Sequence, residues 1–202
     1  MRVTNLPIYQ STLPIPPMTI IIRPITETDA PAISALVAGF AAQNLMLPRS
    51  QAQVLLALED FRVAEEAGRV VGCGSLIELT PTLAEIRSLA VAADCHSRGL
   101  GGQIVGQLLE LARQRGLDQV CALTLRPNFF QRQGFQIVDR WNLTPKIWSE
   151  CVYCVKFHRC DEVAMLLNLR DPAAAPDPAP WWHFLADHAP RPVLRWLAPR
   201  RD

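Results

Sequence analysis

The sequence predicts an α/β domain, and two observations carry that prediction. Segments of strand-like and helix-like periodicity alternate between residues 20 and 169. Within them the chain reads Asp94-Cys95-His96-Ser97-Arg98-Gly99-Leu100-Gly101-Gly102, between an apolar run at 86–91 and an amphipathic run starting near Ile104. A strand that enters a Gly-rich loop and leaves as a helix builds an anion site. Glycines let the backbone approach closely, several N–H groups point one way, and the helix N-terminus adds partial positive charge. Arg98 adds a full one.

The elements follow in order. Residues 20–25 (Ile-Ile-Ile-Arg-Pro-Ile) read as a first strand. Asp29 is expected to cap a helix with Pro31 in its first turn and Ile33, Leu36, Val37 and Phe40 on its apolar face. Ser50 is expected to cap a second helix with Val54, Leu55 and Leu58 as its stripe. Residues 61–65 and 70–79 form a hairpin around Glu66-Ala67-Gly68-Arg69, and Thr80-Pro81-Thr82 closes it. A strand at 85–91 leads into the Gly-rich loop. The helix after the loop turns Ile104, Val105, Leu108, Leu111 and Ala112 inward and ends at Gly116. A strand at 120–125, a short helix at 129–133, a strand at 134–138 and a last strand at 163–169 complete the pattern.

At 202 residues the chain holds one domain at 20–169, an irregular segment at 1–19 and a Pro/Trp-rich tail at 170–202. The tail is readable as a poorly ordered segment or as one that docks on the domain or a partner. Half of the residues are apolar and 19% are charged, a soluble globular composition. A formal net charge of +1 argues against nucleic acid as a partner. No run approaches the roughly 18 apolar residues of a membrane span, and the N-terminus carries no secretory pattern. Scattered cysteines, with Cys73 and Cys121 inside apolar strands, suit a reducing cytoplasm. A homodimer is left open.

The element order resembles the GNAT acetyltransferases, which bind acetyl-coenzyme A on a mixed sheet with splayed strands flanked by helices. Two motifs carry the resemblance. His96-Ser97-Arg98-Gly99-Leu100-Gly101 matches the family's loop, with histidine where Gln or Arg is usual. Phe129-Phe130-Gln131-Arg132-Gln133-Gly134-Phe135 matches its aromatic-aromatic-x-basic-x-Gly-Phe segment. The resemblance implies that acetyl-CoA lies beside the strand at 85–91. Its pyrophosphate would meet Arg98, Gly99, Leu100, Gly101 and Gly102, and its pantetheine arm Leu89, Ala90 and Val91. Phe129, Phe130 and Arg132 would complete the cofactor side. His96 is readable as a plain surface residue or as a phosphate or adenine contact.

Acetyl transfer needs a proton acceptor for the amine and a fixed donor for the thioester oxygen. Many relatives use a Tyr as the acid that protonates the departing thiolate. Phe130 occupies that position here, so either no dedicated acid exists or Tyr153 reaches in. Strand alternation puts Glu85, Arg87 and Leu89 on one face, with Ile86, Ser88 and Ala90 on the other. Two charges on a central strand have two readings: a structural Glu85–Arg87 pair, or Glu85 as catalytic base with Arg87 taking a substrate carboxylate bidentately.

Finer matches include Leu47-Pro48-Arg49-Ser50, Ala84-Glu85-Ile86-Arg87-Ser88-Leu89-Ala90-Val91 and the stretch Lys146-Ile147-Trp148-Ser149-Glu150-Cys151 onward to Cys160-Asp161-Glu162. These look like the short bacterial N-acetylglutamate synthases, with departures at Thr144-Pro145 and Val155. The implied reaction is direct transfer of acetyl to the α-amine of glutamate, the entry to arginine synthesis, with Arg87, Ser88 and Lys146 on the substrate. The amino-acid-kinase-like domain of longer relatives has no room in 202 residues. Another amine acceptor and a non-catalytic acyl-CoA sensor are the rival readings. Cys151, Cys154 and Cys160 are readable as structural or lid cysteines, as metal ligands with His158 or Asp161, or as a redox sensor. Phe157 and Trp148 are expected in the core.

Overall fold

The structure is a computed structural model, and it describes residues 19–154 and 156–170. The irregular start, the tail from 171 and Val155 lie outside the described residues. One seven-stranded sheet runs in the order β1-β2-β3-β4-β5-β7-β6. Its strands are β1 (Ile20–Pro24), β2 (Phe61–Glu66), β3 (Arg69–Glu78), β4 (Leu83–Val91), β5 (Gln119–Thr124), β6 (Gln136–Ile137) and β7 (Val163–Asn168). All neighbours are antiparallel except β4 and β5, so the sheet is mixed.

Helices cover both faces. On one side α3 (Leu100–Gln114) buries Ile104, Val105, Leu108, Leu111 and Ala112, and α4 (Pro127–Gln131) adds Phe130. On the other side α1 (Ala30–Ala41) buries Ile33 and Val37 against Phe61, Val63 and Cys73. There α2 (Gln51–Leu55) adds Val54, and α5 (Thr144–Ser149) follows Leu143, which packs on Leu83, Cys121 and Ala164. Each face of the sheet therefore has its own apolar layer.

Local signals account for several elements. Ala67 and Gly68 both sit at positive φ, 48° and 79°, the two-residue turn that suits a twisted hairpin. Ser50 Oγ accepts from the Gln53 amide at 3.2 Å, and the Ser50 amide donates to Gln53 Oε1 at 2.9 Å. The end of α3 closes with Leu117 N donating to Ala112 O at 3.0 Å, past Gly116.

Other expectations are revised. Asp29 does not cap α1 with its side chain. Its carboxylate turns back instead, accepting from the Thr26 amide at 2.7 Å and from the Arg23 guanidinium at 2.7 and 2.9 Å. Helix α2 is too short to carry a stripe. Leu55 lies one helical step, about 100°, from buried Val54 and is exposed. The strand expected at 134–138 shrinks to two residues because Phe135 N still donates to Phe130 O, which extends the turn. Trp148 is 68% exposed, since the inward face of α5 belongs to Lys146 and Ile147. Phe157 is half-buried, edge to face with Trp141 and under the Arg140 guanidinium.

Arg23 holds the Asp29 carboxyl down at about 2. A carboxyl whose pKa is lowered by folding stabilises the fold above its unfolded pKa and loses that effect as pH falls through the folded value. Asp29→Asn should therefore lower Tm clearly at pH 7, and the gap to wild type should close as melts are repeated between pH 4 and pH 2.

Candidate active site

One inserted residue shapes the centre of β4. Cys73 of β3 faces Ala90 and Ser75 faces Arg87, so two β4 residues, Ser88 and Leu89, oppose the single Gly74. Ser88 takes φ 51°, and the alternation slips by one. Glu85 and Arg87 face the α1 and α5 side, opposite Ile86, as expected. Leu89 does not share their face: beyond the bulge Leu89 and Val91 pack with Ile86 under α3, and Ala90 joins the α1 layer. Gly74 makes room for that crossing. A Cβ there would stand 2.9 Å from Ile104 and 3.3 Å from Leu89.

Parallel pairing of β4 with β5 covers Leu83↔Gln119 to Glu85↔Cys121 and then stops, although both strands continue. Among the described residues the β5-facing backbone edge of β4 has no strand partner from Ile86 onward, which makes the sheet splayed. At the far end of β4 the chain turns through residues 93–95 and enters α3 at Gly99, φ 76°. The first helical hydrogen bond runs from Gln103 N to Gly99 O at 3.2 Å. The amides of Leu100, Gly101 and Gly102 are thus left without helical acceptors, and the helix dipole points at them.

Arg98 belongs to a clamp under this loop. Its guanidinium donates to buried Glu66 at 2.7 and 3.2 Å, and Arg69 pairs with Asp94 at 2.7 Å. The Arg98 guanidinium keeps the Glu66 carboxyl below its ordinary range. His96 is exposed, and its ring Nε2 lies 2.8 Å from Val91 O. Phe129 lines Gly101, where a Cβ would meet the ring at 3.3 Å. Phe130 is buried between Phe129 and Phe135, both edge to face with it. Arg132 is exposed.

A closed ring of four charges occupies the other end of β4. Glu85, 3% exposed, accepts from Arg87 Nε and lies 2.9 Å from Lys146 Nζ. Glu150 accepts from Arg87 through one oxygen and from Lys146 Nζ at 2.6 Å through the other. Burial alone would lower the Lys146 pKa, but Glu85 and Glu150 raise it above its ordinary value. Burial would raise Glu150, yet Lys146, Arg87 and then Arg49 hold it low. Burial, followed by the Glu85 charge, pushes the Glu162 carboxyl up. Beside Arg87 opens a cleft of about 120 Å³, lined by Arg49, Gln53, Ser75 and Ile77.

The structural Glu85–Arg87 pair is therefore present, and Lys146 joins it. Both contacts to Glu85 fall on Oε2, and among the described residues nothing donates to Oε1. Sequence reasoning missed Glu150, Arg49 and Glu66. The Lys146–Glu150 spacing of four within a helical segment was the available signal for Glu150. Arg49 and Glu66 become visible only when distant elements meet. Tyr153 is 82% exposed and does not reach the ring, and Tyr9 lies outside the described residues. Among the described residues no three His, Cys, Asp or Glu side chains are grouped to hold a metal, so Cys151, Cys154 and Cys160 form no such site. Among them, too, no helix is long and apolar enough to cross a membrane.

A splayed mixed sheet with an amide-lined helix start beside the splay is the arrangement that the resemblance to acyl-CoA N-acyltransferases implies. The profile of the acetyltransferase (GNAT) domain matches residues 57–137. An uncharacterized N-acetyltransferase of Chlorobaculum tepidum is 36% identical over 73% of this chain and 96% of its own length. The chain belongs to the GNAT acetyltransferases. An amino-acid acetyltransferase of Mycobacterium tuberculosis is 35% identical over 64% of this chain and 76% of its own. A crystal structure of a Mycobacterium tuberculosis protein in complex with CoA has TM-score 0.66 and 31% identity, covering 74% of this chain and 99% of that one.

Removing one member of a buried charge network leaves its partners uncompensated, at about 3–5 kcal/mol. Lys146→Met should lose stability on that scale in urea unfolding at pH 7. A loss below about 1 kcal/mol, the ordinary value of an exposed pair, would show that the ring is solvated in solution.

Proposed function

We propose that this acetyltransferase moves acetyl from acetyl-CoA to the α-amine of an acidic amino acid, L-glutamate foremost, in the cytoplasm. One observation carries the reading. Arg49, Arg87 and Lys146 converge beside the buried carboxylate Glu85, where β4 parts from β5. Several cations around a small cleft suit an acceptor with two carboxylates. The similarity to an amino-acid acetyltransferase supports the same acceptor class.

Acetyl-CoA would lie along the open edge of β4, with Leu89, Ala90 and Val91 beside its pantetheine arm. The free amides of Leu100, Gly101 and Gly102, after Gly99, suit its pyrophosphate. Arg132 supplies a further cation, Phe129 walls the loop, and Phe130 supports that wall from the core. Arg98 acts mainly through Glu66, by holding the loop in shape. Arg87 and Arg49 would take the acceptor's carboxylates, and Lys146 and Ser88 would complete that side. The amine must lose a proton before attack, and Glu85 Oε1 would receive it directly or through one water. Attack on the thioester is direct, and the thiolate departs without a tyrosine acid.

Thiol release from acetyl-CoA across a panel of amino acids tests the acceptor. Glutamate should be fastest, and faster turnover with glutamine or a non-acidic amine would move the assignment. Glu85→Gln should cut kcat about 10²–10⁴-fold with acetyl-CoA binding retained. Arg87→Ala should raise the KM for glutamate and spare that for acetyl-CoA, and equal loss of both would remove its assigned role. Glu66→Gln should do the reverse, raising the KM for acetyl-CoA and leaving that for glutamate.

A further inference from the structure

Glu150 is the most exposed member of the ring, with its side chain 30% accessible against 4% for Glu85 and 11% for Arg87. It is also the carboxylate on which the site's cations converge. Arg87 binds one of its oxygens, Lys146 Nζ holds the other at 2.6 Å, and Arg49 adds its charge from the cleft wall. A free carboxylate that binds Arg87 end-on through both Nη atoms would need Nη1, which Glu150 already fills.

The geometry points to Glu150 as a built-in stand-in for the acceptor's carboxylate, one that the acceptor must displace from Arg87 to bind. This rests on the reading of Arg87 as the carboxylate site, and it adds a competitor inside the chain. The exchange is balanced in charge: one carboxylate leaves the Arg87 guanidinium as another arrives. The rest of the ring stays intact, because Lys146 and Glu150 are spaced i,i+4 and Lys146 still pairs with Glu85 at 2.9 Å. Glu150 caps the C-terminus of α5 and leads directly into the short turn Cys151–Tyr153. Glutamate and aspartate analogues would compete with it, whereas a neutral amine would gain nothing from the exchange. The device therefore favours acidic acceptors over amines that cannot claim a guanidinium.

When a site is open only a fraction of the time, apparent affinity falls by that fraction. Removing the stand-in should tighten acceptor binding in proportion. The probes are glutamate in the thiol-release assay and glutarate, a dicarboxylate without an amine, in calorimetric titration. Glu150→Gln should lower the KM for glutamate and the Kd for glutarate together, by about tenfold if the wild-type site is open about a tenth of the time. The KM for acetyl-CoA should not change. Glu150→Asp keeps the charge but withdraws it from Arg87 by one methylene, so it should move both values the same way by a smaller factor. A rise or no change in glutarate Kd in both variants would overturn the proposal, because Glu150 would then belong to the binding surface or stand apart from it. Absence of wild-type turnover with any amino acid, alongside tighter glutarate binding in Glu150→Gln, would defeat the functional reading and leave this one standing.

Discussion

A carboxylate buried in its ionised form in the middle of a sheet needs counter-charge, and the surroundings of Glu85 supply it. Arg87 answers from the same face two residues on, and Lys146 answers from α5. Two cations on one carboxylate would in turn leave excess positive charge, which Glu150 balances. Each member of the ring then has two neighbours of opposite sign. The seating of α5 against β4 follows from this electrostatic closure as much as from apolar packing. Leu143 and Ile147 pack beneath α5, while Trp148 points to solvent.

The same strand carries a second constraint. Its inserted residue at Ser88 moves Leu89 and Val91 under α3 while Glu85 and Arg87 stay on the opposite face. Pairing with β5 ends at Glu85, so the open edge of β4 begins where the charge ring sits and runs toward the loop at 93–99. An amide-lined helix start and a four-charge cluster thus stand at the two ends of one strand edge that is unpaired among the described residues. Glu66 and Arg98 brace the far end by tying the β2–β3 turn to the loop. The two ends are built from different materials, backbone amides at one and side-chain charges at the other. In the proposed reading the loop is generic and the ring sets the acceptor.

Locally encoded features were legible in the sequence. The inward face of α3, its stop at Gly116, the tight hairpin turn and the Ser50 cap each depend on residues a few positions apart. The loop, its strand and the aromatic segment after it were legible for the same reason. What misled was any inference that extended a period through an unseen irregularity. Leu89 was assigned to the wrong face because alternation carries no mark of a bulge at a serine, a residue without glycine's tolerance for positive φ. Leu55 and Trp148 were read as core because an apolar side chain near a helix was taken for one facing inward.

The sequence by itself determined the order of elements as far as the aromatic segment, the chemical types at the site and the placing of Glu85 and Arg87 on one strand face, since that face depends on residues two positions apart; α5 was not foreseen. Only the tertiary structure decided which charges close the ring. Arg49, Lys146 and Glu150 approach β4 from segments 34 or more positions away, and no spacing rule reaches that far. The same holds for Glu66, which binds Arg98 across 32 positions. Local periodicity selects faces. Which faces meet is settled by the burial and charge balance of the whole sheet.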